Sequence, residues 1–376
     1  MFGWSEPARA LSCGDTLGPS DALEVLSENL ECEESPALII EGPVVVDLRR
    51  HTIVCALNGN GEMTGTGIEV TGSQVEIRNG KVKNCRRGVL VKGEGHHLVK
   101  RLTVRSSPGV GGSEPIGFYV QSNQNTFIRN IVRKYAGEGF RLGVDEKVTA
   151  DFNLLKYNQV IKNGDHGFRV RAGQGNVFRR NESKENEGEG FRSQGPDNQF
   201  VRNIAKNNGD EGIRLRDGGD GGAFNNLVIE NRVENNGLSP CDFFRDNPDA
   251  NPGIAVTDGA SDNKIKNNKI KHNCIGIGIE KRSDDNKVID NDVSKSKLLD
   301  MVDGNNDCGN NRWNNNEFVT SASGPFPPGR FFPRCIGRGD ALRSVADQGE
   351  EAVQEADEFV QDAGESLRDA AESLFD

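Results

Sequence analysis

Asparagine recurs in this chain at a spacing that leaves little choice of architecture. Asn125, Asn153, Asn176, Asn198, Asn226, Asn263, Asn286 and Asn311 are each followed five residues later by a second Asn: Asn130, Asn158, Asn181, Asn203, Asn231, Asn268, Asn291 and Asn316. In five of these units a third follows after five more, at Asn163, Asn186, Asn208, Asn236 and Asn273. About nine residues beyond the middle Asn, most units carry a Gly that opens a short apolar run: Gly139, Gly167, Gly190, Gly212, Gly253 and Gly276, with Gly67, Gly88 and Gly117 earlier in the chain. Most of these glycines are about 22 residues apart, the period of stacked one-coil repeats.

Each unit alternates apolar and polar residues in three short segments. Two residues after the first Asn lie Phe127, Leu155, Phe178, Phe200, Val228, Ile265, Val288 and Trp313, and the second Asn and the Gly are followed by similar inward positions. This period of two marks half-buried strands, and no helical period precedes residue 340. Strands this short bury nothing alone, but stacked coils pair edge to edge around one core. Asn is expected at the corners because it tolerates a left-handed backbone and bonds its own main chain. Its amides can also bond from coil to coil when stacked. The Asn ladders are therefore structural.

The pattern resembles the right-handed parallel β-helix repeat family, including its NosD-like, carbohydrate-binding and sugar-hydrolase members. The resemblance spans roughly residues 13–336, from Cys13-Gly-Asp-Thr through Val46-Asp-Leu-Arg-Arg-His-Thr-Ile53 to Asp303-Gly-Asn-Asn-Asp-Cys308. It implies an all-β fold, a right-handed single-stranded parallel β-helix of about eleven coils. That fold hosts lyases, epimerases, hydrolases, tailspikes and inert scaffolds, so it does not fix an activity. The expected organisation is an N-terminal extension (1–12), the β-helix (13–336) and an acidic helical tail (337–376). In the tail, Leu342, Val345, Gly349, Ala352, Ala356, Phe359, Ala363, Leu367, Ala370 and Leu374 recur at three- and four-residue steps, an amphipathic α-helix that docks on the solenoid or self-associates.

The net charge of −11 belongs almost wholly to that tail, where residues from Asp340 onward include 12 acids and 2 bases. The solenoid is close to neutral, without the overall basic excess of a nucleic-acid binder and without a membrane-spanning run. The eight cysteines fall as Cys13 with Cys32, Cys55 with Cys85, Cys241 with Cys274 and Cys308 with Cys335, each pair local or about one coil apart. Eight cysteines allow many connectivities, so four disulfides are one expectation and reduced core thiols the other. The disulfide reading implies a secreted or cell-surface protein, although the first residues show no signal peptide.

The chemistry-bearing residues cluster in the Gly runs. The position between the two inward residues is Tyr119, Arg141, Arg169, Arg192 and Arg214 in successive coils, and the residue before each Gly is Glu138, His166, Glu189 and Glu211. Arg171 and Arg216 add charge two positions downstream. Four arginines stacked ~4.8 Å apart repel unless neutralised, either by the neighbouring glutamates or by a bound polyanion. The rung that breaks the glutamate pattern carries His166. Arg to neutralise a uronate carboxylate, with His or Tyr to exchange its C5 proton, is the set that polysaccharide lyases and C5-epimerases use. The constellation resembles the alginate lyase and mannuronan C5-epimerase branch of the β-helix proteins. Their Asp-Pro-His motif reads Gly164-Asp165-His166-Gly167 here, so only Asp165 and His166 correspond.

These residues support three readings. The first is an enzyme on an acidic polysaccharide, with His166, Tyr119 and Asp165 catalytic and Arg141, Arg169, Arg171, Arg192, Arg214 and Arg216 binding substrate. The second is a non-catalytic carbohydrate-binding or structural solenoid whose Arg–Glu ladder is only ion pairs. The third is a glycoside hydrolase using paired carboxylates, Asp165 with Asp210 or Glu189 with Glu211. An exposed His166 beside an unpaired Arg would favour the first. No metal or cofactor is expected, with calcium at Asp217-Gly-Gly-Asp220 the weak alternative to a plain turn. The insertions Ser107–Pro115, Gly143–Phe152 and Leu238–Pro252 are expected to wall this face.

Overall fold

The computed structural model describes residues 10–19, 23–218, 222–237, 241, 251–305, 308–323 and 336. Contacts divide the chain into residues 1–338 and 339–376. The expected tail helix lies outside the described residues.

The Gly runs pair into one parallel sheet of thirteen strands, from Asp15–Leu17 to Ser321–Ser323. The repeat spacing gives about eleven coils because the outermost rungs lack its signature. Ala37, for example, precedes Leu38–Ile40 where the next rung has Gly67. The two Asn-flanked segments of each coil form the other walls. Glu76–Lys83 and Leu98–Arg105 run unbroken across both, so these walls join as one ladder.

Inward residues stack on their equivalents one coil away. Phe127, Leu155, Phe178, Phe200, Val228, Ile265, Val288 and Trp313 lie in direct register and are buried. Opposite them Phe118, Phe140, Phe168 and Phe191 form a column of stacked rings with centroids 4.4, 5.1 and 4.9 Å apart. Burying each ring contributes about 1.5–3 kcal/mol. On its glycine rungs the corner entering the Gly sheet leaves no space for a side chain. A Cβ on Gly139 would lie 2.3 Å from Val160 Cγ1 and 2.6 Å from the Gly167 carbonyl oxygen.

All three Asn columns form hydrogen-bonded ladders. Asn158 Oδ1 accepts from the backbone N–H (2.9 Å) and Nδ2 (3.0 Å) of Asn130, while its own Nδ2 donates to the Phe127 carbonyl (2.9 Å) and to Asn181 Oδ1 (3.0 Å). The same exchange links Asn125 to Asn153 and Asn286 to Asn311, and in the third ladder Asn163 to Asn186 and Asn236 to Asn273. His97 takes the first ladder's position one coil earlier, buried, with its N–H on Asn125 Oδ1 and its Nδ1 accepting from the Val75 N–H. It is a structural cap, as its lack of metal-ligand spacing suggests.

One expectation about these corners fails. The ladder asparagines do not adopt the left-handed backbone. That conformation falls on the residue just before them, such as Arg129 (φ 54°), Tyr157 (58°), Arg180 (54°) and Arg202 (55°). Asn is selected here because its amide points inward and satisfies donors and acceptors on two coils, whereas the turn is made one residue earlier by side chains at the surface.

Cys13–Cys32, Cys55–Cys85 and Cys241–Cys274 are disulfides, as expected. Cys308 is also disulfide-bonded, and Cys335 lies outside the described residues. Among the described residues no helix is long and apolar enough to cross a membrane.

Replacing Asn181 with Ala removes the acceptor of the Asn158 backbone N–H, one of the two acceptors of Asn158 Nδ2 and a donor to the Leu155 carbonyl, all buried. At roughly 1–3 kcal/mol for each unsatisfied group, partly relieved by water, urea denaturation should show a loss of about 3 kcal/mol. A loss below about 1 kcal/mol would mean that the ladder contributes little.

Candidate active site

The outward row of the Gly sheet is in register as its spacing requires. Tyr119 pairs with Arg141, Arg141 with Arg169, Arg169 with Arg192 and Arg192 with Arg214. The same row continues to Leu90 on one side and Ala255 on the other. It is not an open line of cations, however. Tyr119, Arg141 and Arg192 are buried, and Arg169 and Arg214 are partly so.

Two of the insertions contribute directly to this cover. Glu114 reaches Arg141 at 3.7 Å, and Val144 packs on Tyr119, Leu90 and Ile116. At the far end Asn251 Nδ2 donates to Asp210 (3.0 Å), although most of that third insertion lies outside the described residues.

Three rungs neutralise themselves. Arg141 meets Glu138 (2.5 Å), Arg192 meets Glu189 (3.2 Å) and Arg214 meets Glu211 (3.4 Å), each three residues apart. Arg169 has His166 at that place and borrows Glu138 from the previous rung (2.9 Å), with Gln194 Oε1 accepting from its Nε and Nη2. Arg216 pairs with Asp258 (2.8 Å), which also faces Arg214 (3.6 Å). Arg171 is exposed. The structure thus contains the ion-pair ladder, and neither the exposed His166 nor an unpaired Arg beside it is found.

His166 is the exceptional rung. Its Nδ1 lies against the Glu189 carboxylate and 3.2 Å from Asp165 Oδ1, and its Nε2 is 3.2 Å from Arg192 Nη1. The Glu189 amide also points at Nδ1 (3.3 Å), but the carboxylate is closer. Arg192 cannot donate to a protonated Nε2, so the proton is assigned to Nδ1. A carboxylate on Nδ1 and a lone pair on Nε2 is the orientation of an imidazole base. Gly188 makes room for it, since a Cβ there would stand 2.6 Å from Nδ1. Tyr119 is not brought to His166. It lies two rungs away in an apolar patch, its ring between the guanidinium groups of Arg87 (5.4 Å) and Arg141 (5.7 Å).

The carboxyls of this face diverge. Burial alone would raise Glu189, but the His166 hydrogen bond and the Arg192 charge hold it down at about 2. Burial lifts Glu211 to about 7, Arg214 opposing and the Glu189 charge reinforcing. Asp210 is also raised, by burial and then by Glu189. In Glu138, the hydrogen bond and charge of Arg141 overcome burial and keep the group ionised.

Glu138, Asp165 and His166 bring ligand atoms within 4.8 Å of one another, a set a metal ion could use. Both Glu138 oxygens already accept from Arg141 and Arg169, so a cation would have to break two charge-assisted bonds among arginines. We assign no metal there. Asp220, of the weak calcium reading, lies outside the described residues. Sequence reasoning missed Gln194, Asp258 and Glu114. Gln194 had a signal, since it sits in the outward column of Arg171 and Arg216, but a neutral residue in a charge ladder attracts no notice.

The chain belongs to the family defined by a right-handed β-helix region, whose profile matches residues 40–160 and 148–324. Solved structures extend the likeness in fold. The mannuronan C-5 epimerase AlgE4 A-module of Azotobacter vinelandii aligns at TM-score 0.60 and 14% identity, covering 88% of this chain and 91% of that one. The periplasmic alginate epimerase AlgG aligns at 0.54 and 14%, covering 81% and 77%. The catalytic domain of a GH87 α-1,3-glucanase, solved with tetrasaccharides, aligns at 0.50 and 10%, covering 90% and 70%. No curated protein matches by sequence.

The two displaced glutamates have opposite linkage. Glu211 ordinarily titrates at 4.5 and in the fold at about 7, so the native state keeps a proton that the unfolded chain has released. Its stabilisation is complete below about pH 4.5 and is lost as pH rises through 7. The melting temperature should therefore fall between about pH 5 and 8, and Glu211→Gln should flatten that decline. An unchanged slope would show that Glu211 is ionised throughout.

Proposed function

We propose that this chain acts on an acidic polysaccharide laid across the Arg141–Arg214 rungs, by lyase or C5-epimerase chemistry with His166 as the base. The observation that carries the reading is the His166 imidazole, oriented by Glu189 at Nδ1 and presenting Nε2 among arginines. Arg169 has no glutamate on its own rung and shares Glu138 with Arg141, which makes it the guanidinium best placed to take a substrate carboxylate. Arg169 and Arg192 exchange a chain carboxylate for that of the sugar, the bidentate partner a guanidinium prefers.

Neutralising the uronate carboxylate acidifies C5–H, and His166 Nε2 removes the proton. The electron pair left on C5 then takes one of two courses. It expels O4 and forms a C4=C5 double bond, or it is reprotonated from the opposite face. Glu211, still partly protonated near neutrality, is the acid. Tyr119 supports Arg141 through its ring face, and Asp165 steadies His166. The scheme uses no cofactor. The disulfides fit an oxidising compartment outside the cytoplasm.

The wide separation of Glu189 (about 2) and Glu211 (about 7) also favours a second reading, hydrolysis by an ionised and a protonated carboxyl. Incubation with polyuronates, followed by absorbance of unsaturated uronate, by C5 proton exchange in D2O and by reducing-end release, separates the readings. Lyase or epimerase chemistry predicts one of the first two signals. Arg169→Ala and His166→Ala should lower it about 10²–10⁴-fold while the protein stays folded. Reducing ends without an unsaturated product support hydrolysis. Silence in all three assays leaves a non-catalytic ion-pair solenoid.

A further inference from the structure

Gln194 occupies a place where the charge pattern of the Gly sheet calls for a carboxylate. It follows the buried Ser193, in the outward column between Arg171 and Arg216 of the neighbouring rungs. Its Oε1 accepts from Arg169 Nε (3.2 Å) and Nη2 (3.0 Å). Gln and Glu have the same shape, and a glutamate here would face Arg169, Arg171 and Arg216 and form a charge-assisted fork with the first of them. Packing therefore does not demand the amide, and on charge alone a glutamate would be the more stabilising residue. The side chain is also well placed. Its backbone N–H donates to the Val170 carbonyl (2.9 Å), and Gly218 leaves room beside it, since a Cβ there would stand 3.1 Å from Gln194 Nε2.

The third contact of Arg169 is Glu138, whose Oε1 accepts from Nη1 (2.9 Å) while its Oε2 accepts from Arg141 Nε (2.5 Å). Gln194 and Glu138 together engage three of the five guanidinium donors. The two holders differ in what an incoming anion must displace. Glu138 has the arginine of its own rung and stays ion-paired when Arg169 leaves it. Gln194 fixes the Nε–Nη2 edge without bringing a charge to it. Held along that edge, the guanidinium offers its Nη1–Nη2 end to a carboxylate that takes the place of Glu138 Oε1, in the fork that arginine prefers. Arg141 and Arg192 are instead held by glutamates of their own rungs. Arg169 is the rung that carries His166.

We propose, on the strength of the uronate reading of this face, that Gln194 is its positioning and specificity-determining residue. It aims Arg169 while leaving the guanidinium charge to a sugar carboxylate, so the site selects a free uronate over its uncharged ester. A glutamate at this position would compete with the sugar carboxylate for Arg169. A side chain of the same length without an acceptor would leave Arg169 its charge and take away its aim.

The test measures binding of a fluorescently labelled polyuronate oligomer, and of the same oligomer with its carboxyls methyl-esterified, to the full chain, together with turnover and melting temperature. The wild type should prefer the free acid. Gln194→Glu should bind the acid at least about tenfold more weakly and the ester within about twofold of wild type. Its melting temperature should be unchanged or higher, a combination that a merely structural Gln194 would not give. Gln194→Met should keep the preference for the acid but lower kcat/KM on it about tenfold. An unchanged acid-to-ester ratio in folded Gln194→Glu, or undiminished turnover by Gln194→Met, overturns the role of Gln194 and leaves the active-site proposal standing. A wild type that binds acid and ester equally overturns the uronate reading itself, and the role of Gln194 with it.

Discussion

Each coil of this solenoid is fixed to the next by asparagine amides that exchange hydrogen bonds in direct register. A buried amide carries two donors and an acceptor with two lone pairs, and in an apolar core every unmade bond is costly. An Asn stacked on an Asn satisfies both partners without further help from water. Once one column is in register, the strands on either side have no freedom to slip, because a one-residue shift would turn the Phe column outward and the charged column inward. Every other alignment in the molecule follows, including the arginine row of the Gly sheet.

That constraint explains why the architecture was so readable. Asn158 and Asn181 announce themselves in the sequence because the ladder tolerates no substitute at those places, and Gly139 does so because the corner has no space. The pairing of Arg141, Arg169, Arg192 and Arg214 was legible for the same reason. Burial of the outward row was not, since it depends on Glu114 and Val144, which belong to insertions outside the repeat. The rotamer of His166 was equally hidden. Its contact with Glu189 crosses to the next rung and relies on Gly188, a residue that periodicity presents as an ordinary turn. The sequence also placed the left-handed conformation on the wrong residue, because a propensity for turns and a capacity to stack both favour Asn at neighbouring positions.

The Gly sheet shows how this scaffold handles a column of cations. On the Gly sheet each arginine has a carboxylate within reach, the interruption at His166 is accommodated by borrowing Glu138, and the resulting field splits Glu189 from Glu211. Those shifts are what acid–base chemistry requires, and they arise only where the charges are buried together.

The central claim is that the arginines of the Gly sheet give up a chain carboxylate for that of a sugar beside His166. A crystal structure of the protein soaked with a short polyuronate tests it most directly. The account predicts a sugar carboxylate bound to Arg169 or Arg192, with C5 of that residue facing Nε2 of His166. Sugar bound elsewhere, with Glu138 and Glu189 still holding every arginine of the row, would contradict it.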